Sequence, residues 1–172
     1  IDASGTAGWN GGAGFVPLGG NNATSFTGTL NGNGNAISGL TINTSSINVA
    51  GLFGFVGTGG TVENVGLTGG SVRGASIAGE LIGLNGGTVI NSYATGTVNG
   101  TTSTAADGGL IGTNEGAITE SYASGAVNGG IIAGGLAGIN QGTISQSYAT
   151  GNVTTGDVGI AERRREDAVG DV

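Results

Sequence analysis

The sequence of 172 residues contains no cysteine, no histidine and no methionine. Without cysteine no disulfide bond forms, so the composition says nothing firm about the redox compartment. Zinc and copper take nitrogen and sulfur ligands, and without histidine or cysteine we expect neither metal. Calcium would need oxygen ligands, but the sequence has no Gly-Gly-x-Gly-x-Asp repeat and no EF-hand loop. We therefore expect no metal ion and no cofactor.

Proline occurs once, whereas glycine occurs 41 times. A glycine content this high is typical of collagen or of disordered segments. Collagen is excluded because glycine does not recur at every third residue and proline is almost absent. Hydrophobic residues make up 37% of the chain, and they are spaced regularly between the glycines. This regular spacing favours a folded domain over disorder.

Basic residues are also scarce, with four arginines and no lysine against 11 acidic residues, for a formal net charge of −7. Three of the arginines are adjacent at 163–165, and Arg73 is the only other base. Phosphate neutralisation needs more positive charge than this, so we expect no nucleic-acid partner. No apolar run approaches the roughly 18 residues of a membrane helix, so we expect no membrane insertion. The chain begins with Ile1, and we interpret it as a fragment or processed product without its own signal peptide.

An internal repeat is the main feature that the sequence does contain, because residues 134–153 closely match residues 108–127. Four leucines open the repeat units at spacings of 29, 29 and 26 residues: Leu52, Leu81, Leu110 and Leu136. In the last three units further positions recur 8, 12 and 17 residues after the leucine: Val89, Ile118 and Ile144; Tyr93, Tyr122 and Tyr148; Val98, Val127 and Val153.

Within each unit the apolar residues form short bursts of strand length, separated by Gly, Asn, Thr and Ser. No stretch keeps a 3.6-residue apolar period, so helices are not expected. The pattern predicts an all-β fold with three short strands per unit, stacked as a parallel β-helix (β-solenoid) of about six coils. We place an N-terminal coil or cap at residues 1–25, with an Asn/Gly turn following at 31–35. The repeats span residues 26–158, and residues 159–172 form a charged tail that is disordered or truncated.

A comparison of the units predicts which side chains face outward. The segment 64–67 corresponds to segments 91–94, 120–123 and 146–149. Alternating side chains place Val65 and Leu67 on the inner face of a strand. The position between them is Gly66 in one unit and tyrosine in three, so we place it outside. An external ladder of Tyr93, Tyr122 and Tyr148 follows, and it reflects either the strand preference of tyrosine or a contact surface for sugars or partner proteins.

The leucines belong to Gly-Leu-hydrophobic-Gly tetrads at 51–54, 109–112 and 135–138, which resemble the GLUG motif. The tetrad at 80–83 departs from the motif, because Glu80 replaces its first glycine. The segments 26–42, 87–98, 116–127 and 142–153 are also similar to this family, so the resemblance covers about residues 15–158. GLUG repeats occur in large bacterial exoproteins, including filamentous-haemagglutinin-like adhesins and some IgA-specific metallopeptidases. The resemblance implies a right-handed β-helix that acts as a stalk or scaffold, and the general handedness of strand connections agrees.

The acidic residues fall at non-equivalent positions of the units. Glycosidases need two carboxylates held about 5–10 Å apart. Glu120 aligns with the amide of Asn91, and Arg73 has no evident carboxylate arrangement around it. We therefore expect no enzymatic activity and no catalytic residue. The alternative is a carbohydrate-active β-helix that would use Glu80 or Glu120.

These observations predict a noncatalytic structural or adhesive β-helix segment of a bacterial secreted or cell-surface protein, which extends or displays binding regions. Host or surface glycans or proteins are the expected partners. We expect a monomeric segment of a larger protein, located outside the cell. Ice binding is a less favoured alternative, because Ala117 interrupts the equivalent threonines Thr88 and Thr143.

Overall fold

The computed structural model describes residues 1–43, 46–100 and 106–155. Within these ranges it contains 21 β-strands, two 3₁₀ segments at Ser4–Gly12 and Asn22–Thr24, and no α-helix. In this part of the chain no helical segment has the length and apolarity that a bilayer crossing requires. The predicted all-β, parallel solenoid is confirmed, whereas the tail predicted at 159–172 lies outside the described residues.

The first strands are β1 (Thr29–Ser38), β2 (Thr41–Asn43), β3 (Val49–Ala50), β4 (Phe53–Val56), β5 (Thr61–Thr68) and β6 (Ser71–Arg73). The next unit contains β7 (Ile77–Gly79), β8 (Ile82–Asn85), β9 (Thr88–Ile90), β10 (Tyr93–Ala94) and β11 (Thr97–Asn99). The third contains β12 (Ala106–Gly108), β13 (Ile111–Asn114), β14 (Ala117–Thr119), β15 (Tyr122–Ala123) and β16 (Val127–Gly129). The last contains β17 (Ile132–Gly134), β18 (Ala137–Asn140), β19 (Thr143–Ser145), β20 (Tyr148–Ala149) and β21 (Val153–Thr155). The last three units thus have five strands each rather than the predicted three.

Equivalent strands of successive units pair in parallel and form four sheets. Sheet 1 contains β1, β5, β9, β10, β14, β15, β19 and β20; sheet 2 contains β2, β6, β11, β16 and β21; sheet 3 contains β3, β7, β12 and β17; sheet 4 contains β4, β8, β13 and β18. The solenoid has about four turns, somewhat fewer than the predicted number of about six coils. The difference arises near the N-terminus, where residues 1–26 make only isolated bridges to the first coil and form no coil of their own. Residues 31–35 form an irregularity within one strand, β1, rather than the predicted turn.

Residues 1–26 lie across the first coil and bond to its edge. Their backbone N–H groups donate at 2.8, 2.8, 2.9 and 2.9 Å in four pairs: Ala3 to Ser38, Phe15 to Thr41, Leu18 to Leu52 and Phe26 to Phe55. The carbonyl oxygens that accept these bonds belong to the first coil. This segment therefore covers the edges of β2 and β4 and the end of β1.

Apolar residues stack in columns through the interior, one residue from each coil. Val62, Val89 and Ile118 pair in register across β5, β9 and β14, and Val98 pairs with Val127. All five side chains have 0% of their surface exposed. Removing a Val or Ile side chain from water contributes about 1.5–3 kcal/mol. The columns therefore supply the main stabilisation, and each coil depends on its neighbours for it.

The Gly-Leu-hydrophobic-Gly tetrads lie where sheets 3 and 4 approach each other closely. In the third unit the leucine and the hydrophobic residue, Leu110 and Ile111, are fully buried. A Cβ atom on the last glycine, Gly112, would collide with the Ile77 Cγ2 methyl group and the Gly83 carbonyl oxygen. The tetrad therefore combines two buried side chains with a glycine that permits the close approach.

One outer corner of sheet 1 requires a left-handed backbone conformation in every unit. The φ angles are +53° at Asn64, +44° at Asn91, +51° at Glu120 and +48° at Gln146. Asparagine tolerates this conformation better than most residues that carry a side chain. The Asn91 Nδ2 group also donates to Asn64 Oδ1 at 2.8 Å. The corner therefore favours asparagine, and Glu120 departs from that preference.

We expect Glu120→Asn to raise the free energy of unfolding by about 0.5–1 kcal/mol, because asparagine adopts the left-handed conformation at lower cost. Denaturant titration measures the change. Glu115→Asn is the matched control, since it removes the same charge from an exposed residue outside this corner. Equal effects of the two substitutions would contradict the backbone explanation.

The hydroxyl group of Thr113 in β13 is buried and has no hydrogen-bond partner, and its neighbours on the adjacent coils are Leu84 and Ile139. Thr113→Val replaces the hydroxyl with a methyl group of the same shape, so we expect a stabilisation of about 1 kcal/mol. Thr119→Val serves as the control, because the Thr119 hydroxyl shares a 3.1 Å hydrogen bond with Ser145. A loss of stability in Thr113→Val, measured in the same titration, would refute this expectation.

Candidate functional site

Three tyrosine rings stack on the outer face of sheet 1. Tyr93, Tyr122 and Tyr148 occupy the same position of β10, β15 and β20, which pair in register. The ring centroids are 5.0 and 5.3 Å apart, and the ring planes are inclined by only 4° and 6°. The structure therefore brings the three predicted residues together as one tyrosine ladder, whereas its role as a contact surface stays a prediction.

The tyrosine ladder begins over a glycine. Gly66 pairs with Tyr93, and a Cβ atom at Gly66 would collide with the Tyr93 ring. Face-to-face stacking covers the ring faces between neighbouring tyrosines, so the surface of the ladder consists of ring edges and hydroxyl groups. Within the described residues Tyr148 has a stacked neighbour on one side only, and 57% of its surface is exposed.

Two columns of polar side chains run beside the tyrosine ladder on sheet 1. One column contains Thr29, Thr61, Thr88, Ala117 and Thr143. The next contains Asn31, Glu63, Ile90, Thr119 and Ser145. The first column thus has two more threonines than the sequence comparison found. The two columns still do not place a pair of threonines on every coil, because the second column includes a glutamate and an isoleucine.

Glu80 lies inside the solenoid, with only 1% of its surface exposed. The backbone N–H of Gly96 donates to Glu80 Oε2 at 2.6 Å, while Oε1 has no hydrogen-bond partner. Burial raises the pKa of Glu80 to about 8, and the Gly96 hydrogen bond offsets only part of that rise. The carboxyl group is therefore largely protonated in the folded protein at neutral pH.

Asp107 is a second buried carboxyl group, also 1% exposed. Its Oδ2 atom accepts a hydrogen bond from the Gly130 N–H at 3.0 Å, and burial raises the pKa of Asp107. Its register partners on the adjacent coils are Ala78 and Ala133. The sequence analysis did not identify this residue, although an acid that interrupts a column of alanines was the available signal.

The carboxylates named for the carbohydrate-active alternative do not face a common site. Glu80 is buried inside the coil, whereas Glu120 is exposed at the outer corner of sheet 1. Two such groups cannot flank one glycosidic bond. Across residues 1–43, 46–100 and 106–155, no group of three potential metal-ligating side chains occurs.

A buried ladder of asparagines also escaped the sequence analysis. Asn85 Nδ2 donates to Asn114 Oδ1 at 2.8 Å, and Asn114 Nδ2 donates to Asn140 Oδ1 at 2.7 Å. Asn85 and Asn114 have 0% exposed surface. The signal was present, because each asparagine follows the unit leucine by four residues. Amide groups can stack in this way since each has both a donor and an acceptor.

A cavity of about 250 Å³ lies at the covered end of the solenoid. Its walls are mainly apolar and include Trp9, Phe15, Ile37, Leu40 and Leu52. The Trp9 and Phe15 ring centroids are 6.5 Å apart. The cavity lies at the opposite end of the sequence from Tyr148, so it does not extend the tyrosine ladder.

We expect the protein to lose stability as the pH rises from about 4.5 to 8, because the fold favours the protonated form of Glu80. The stabilisation is complete below the ordinary glutamate pKa of 4.5 and is lost as the pH passes the folded value of about 8. The loss amounts to at most about 5 kcal/mol. Asp107 acts in the same direction, since its pKa is also raised.

Glu80→Gln should flatten this pH dependence, because glutamine keeps an acceptor for the Gly96 N–H and does not ionise. Thermal unfolding at several pH values measures the slope. Glu115→Gln changes an exposed glutamate and should leave the slope unchanged. An identical slope in wild type and Glu80→Gln would show that Glu80 ionises freely in the folded protein.

Comparison with known proteins identifies one family and two relatives. Residues 129–154, which contain β17 to β20, match the family described as "The GLUG motif". The chain is 46% identical over 102 residues to halomucin of Haloquadratum walsbyi, a match that covers 58% of this chain and 1% of halomucin.

A protein of Evansella cellulosilytica named as a Gly-rich membrane protein is 45% identical over 84 residues, which are 47% of this chain and 10% of that protein. The chain thus spans a small part of each of these relatives. No solved structure matches it at a significant level. The comparisons confirm the GLUG motif in the last coil and a likeness to parts of much longer proteins.

Proposed function

We propose that this chain is a noncatalytic structural segment of a secreted or cell-surface repeat protein, and that the tyrosine ladder of sheet 1 binds glycans. The names of the relatives, halomucin and a Gly-rich membrane protein, support a location at the cell surface. The stacked coils support a structural role, because each coil adds about 4.8 Å of rigid length.

The observation that carries the adhesive part of the proposal is the spacing of the three stacked tyrosine rings, which sets the spacing of their hydroxyl groups. The rings follow each other at 5.0 and 5.3 Å along the solenoid axis. This spacing is close to the length of one sugar unit in an extended polysaccharide. A linear glycan that lies along the axis would therefore meet one phenolic hydroxyl group per sugar.

The ladder geometry also determines the kind of contact. A sugar usually packs against the face of an aromatic ring, but neighbouring rings cover those faces here. Binding would therefore use hydrogen bonds to the three hydroxyl groups and contacts with the ring edges. Each contact is weak by itself, and affinity would come from the repetition along the chain.

A glycan array with the full chain tests the proposal. We expect binding without cleavage, and we expect a triple Tyr→Phe variant at positions 93, 122 and 148 to lose about tenfold or more in affinity. Phenylalanine preserves the ring stack and removes the hydroxyl groups, so a loss of binding cannot be attributed to unfolding. Trp9→Phe changes an exposed aromatic residue of the opposite end and should leave binding unchanged.

Two outcomes would contradict the proposal. Unchanged affinity in the triple variant would exclude the hydroxyl groups as the recognition element. Depolymerisation of a polysaccharide, abolished by Glu120→Gln, would instead establish the carbohydrate-active alternative.

A further inference from the structure

A column of polar side chains borders the tyrosine ladder at the outer corner of sheet 1. Each member lies two residues before the ladder position of its coil, and the strand residues on both sides of the corner pair in register. In the three coils that carry a tyrosine, the member of this column is exposed. A glycan on the ladder would therefore meet the column along its length. In chain order, this corner column consists of Asn64, Asn91, Glu120 and Gln146.

Hydrogen bonds between amide groups connect the first members of the corner column. Asn64 Nδ2 donates to Asn31 Oδ1 at 3.3 Å, and Asn91 Nδ2 donates to Asn64 Oδ1 at 2.8 Å. Asn91 Oδ1 is the remaining acceptor of this chain of bonds. On the next coil the neighbour is Glu120, and a carboxylate has no proton to donate. Two acceptors, Asn91 Oδ1 and the Glu120 carboxylate, therefore occupy adjacent coils without a donor between them.

The Glu120 carboxylate accepts no hydrogen bond and forms no ion pair within the part of the chain that the structure describes. Glu63, by contrast, accepts a hydrogen bond from Asn31 Nδ2 at 2.8 Å. Outside residues 163–165 the only basic residue of the sequence is Arg73, which lies in β6 of sheet 2. Glu120 therefore places a negative charge beside the middle of the tyrosine ladder, and no described cation neutralises it.

The backbone at Glu120 is in a conformation that glutamate adopts at a cost. Its φ angle of +51° lies in the left-handed region, which asparagine tolerates better. Residues that are held in sparsely populated backbone conformations cluster at functional sites. A strained and unpaired carboxylate next to a candidate binding surface thus indicates a partner from outside the protein.

We propose that the glycan of the tyrosine ladder is a polymer of amino sugars, and that Glu120 and Asn91 bind one of its ammonium groups. The inference rests on the proposed function, because it names the class of glycan that the ladder takes. Two acceptors that each lie about 2.8 Å from a tetrahedral ammonium nitrogen are about 4.6 Å apart. Equivalent atoms of adjacent coils are about 4.8 Å apart, so the two coils place their acceptors at a matching separation.

The amino group of a bound sugar lies within reach of Glu120. Glu120 precedes Tyr122 by two residues, so their Cα atoms are at most about 7 Å apart. A sugar that bonds to the Tyr122 hydroxyl group would therefore extend its substituents over the corner column. An ammonium group there would supply the donors that both acceptors lack.

The same charge selects against other ligands. An acidic glycan would place its carboxylate or sulfate groups opposite Glu120, where the described residues of sheet 1 include no basic side chain to compensate. Calcium would need about six to eight oxygen ligands at close range, whereas the corner supplies one carboxylate between two amides. An ammonium group is satisfied by fewer acceptors at wider spacing.

Three oligosaccharides of equal length test the inference by isothermal titration calorimetry with the full chain. A hexamer of β-1,4-linked glucosamine is cationic at mildly acidic pH, its N-acetylated form has the same backbone without charge, and oligogalacturonate is anionic. We expect the glucosamine hexamer to bind about fivefold to tenfold more tightly than the N-acetylated hexamer, and oligogalacturonate to bind most weakly. This preference should decrease as the salt concentration rises, because salt screens an exposed ion pair.

Glu120→Gln removes the charge and keeps the shape of the side chain. Gln146 occupies the same corner position with a φ angle of +48°, so the backbone there is compatible with glutamine. We expect the variant to bind both hexamers equally, with its affinity for the N-acetylated form unchanged. Glu115→Gln is the matched control, since Glu115 is an exposed glutamate outside the corner and its substitution should leave the preference intact.

The outcomes separate this inference from the proposed function. Equal binding of the two hexamers by the unmodified chain, or a preference that survives Glu120→Gln, would overturn the inference alone. A preference that Glu115→Gln abolishes equally would also overturn it, because the response would then follow net charge rather than the corner column. Unchanged affinity in the triple Tyr→Phe variant would overturn the proposed function and the inference with it.

Discussion

The register of the hydrogen bonds between coils is the constraint on which the rest of this structure depends. Parallel pairing places each residue about 4.8 Å from its equivalent on the next coil. Two like charges at that distance would repel by about 1–4 kcal/mol. Accordingly, Glu63, Arg73 and Asp107 each lie between uncharged register partners on the adjacent coils. The scarcity of charged residues is therefore a consequence of stacking. The apolar columns and the tyrosine ladder are the residues for which the same stacking is favourable.

In the interior of the solenoid, the register between coils permits some polar groups to repeat and prevents others from doing so. Asparagine can repeat from coil to coil, because its amide accepts from one neighbour and donates to the other, as Asn114 does between Asn85 and Asn140. A carboxylate has no donor, so it cannot form such a ladder. Glu80 and Asp107 therefore occur singly, and each accepts a hydrogen bond from a backbone N–H group. Burial raises the pKa of both.

Stacking also determines what the outer surface can do. Repetition of a tyrosine covers the faces of the rings and leaves a row of hydroxyl groups, so a longer solenoid would gain more hydroxyl groups but no additional open ring face. The side surface of the solenoid is therefore repetitive from coil to coil.

Much of the fold could be predicted from the sequence, because a solenoid is built from local repeats. The spacing of Leu81, Leu110 and Leu136 implied one coil per unit, and the alternation around Tyr93 correctly placed the tyrosines outside and their neighbours inside. The number of turns could not be predicted, since the apolar residues of segment 1–25 do not show whether this segment forms a coil or lies across one. Only the paired backbone shows that residues 1–26 make isolated bridges to the first coil, and that β1 continues through residues 31–35 with an irregular register.

The same distinction between sequence and tertiary structure applies to the candidate site. The sequence by itself determined which residues share a column, because equal spacing in a repeat becomes equal position in a coil. Only the tertiary structure decided the tilt and separation of the tyrosine rings, the burial of Glu80 and Asp107, and the position of residues 1–26 across the first coil. These properties depend on contacts between residues that are distant in sequence, and the amino-acid pattern of a single unit does not contain them.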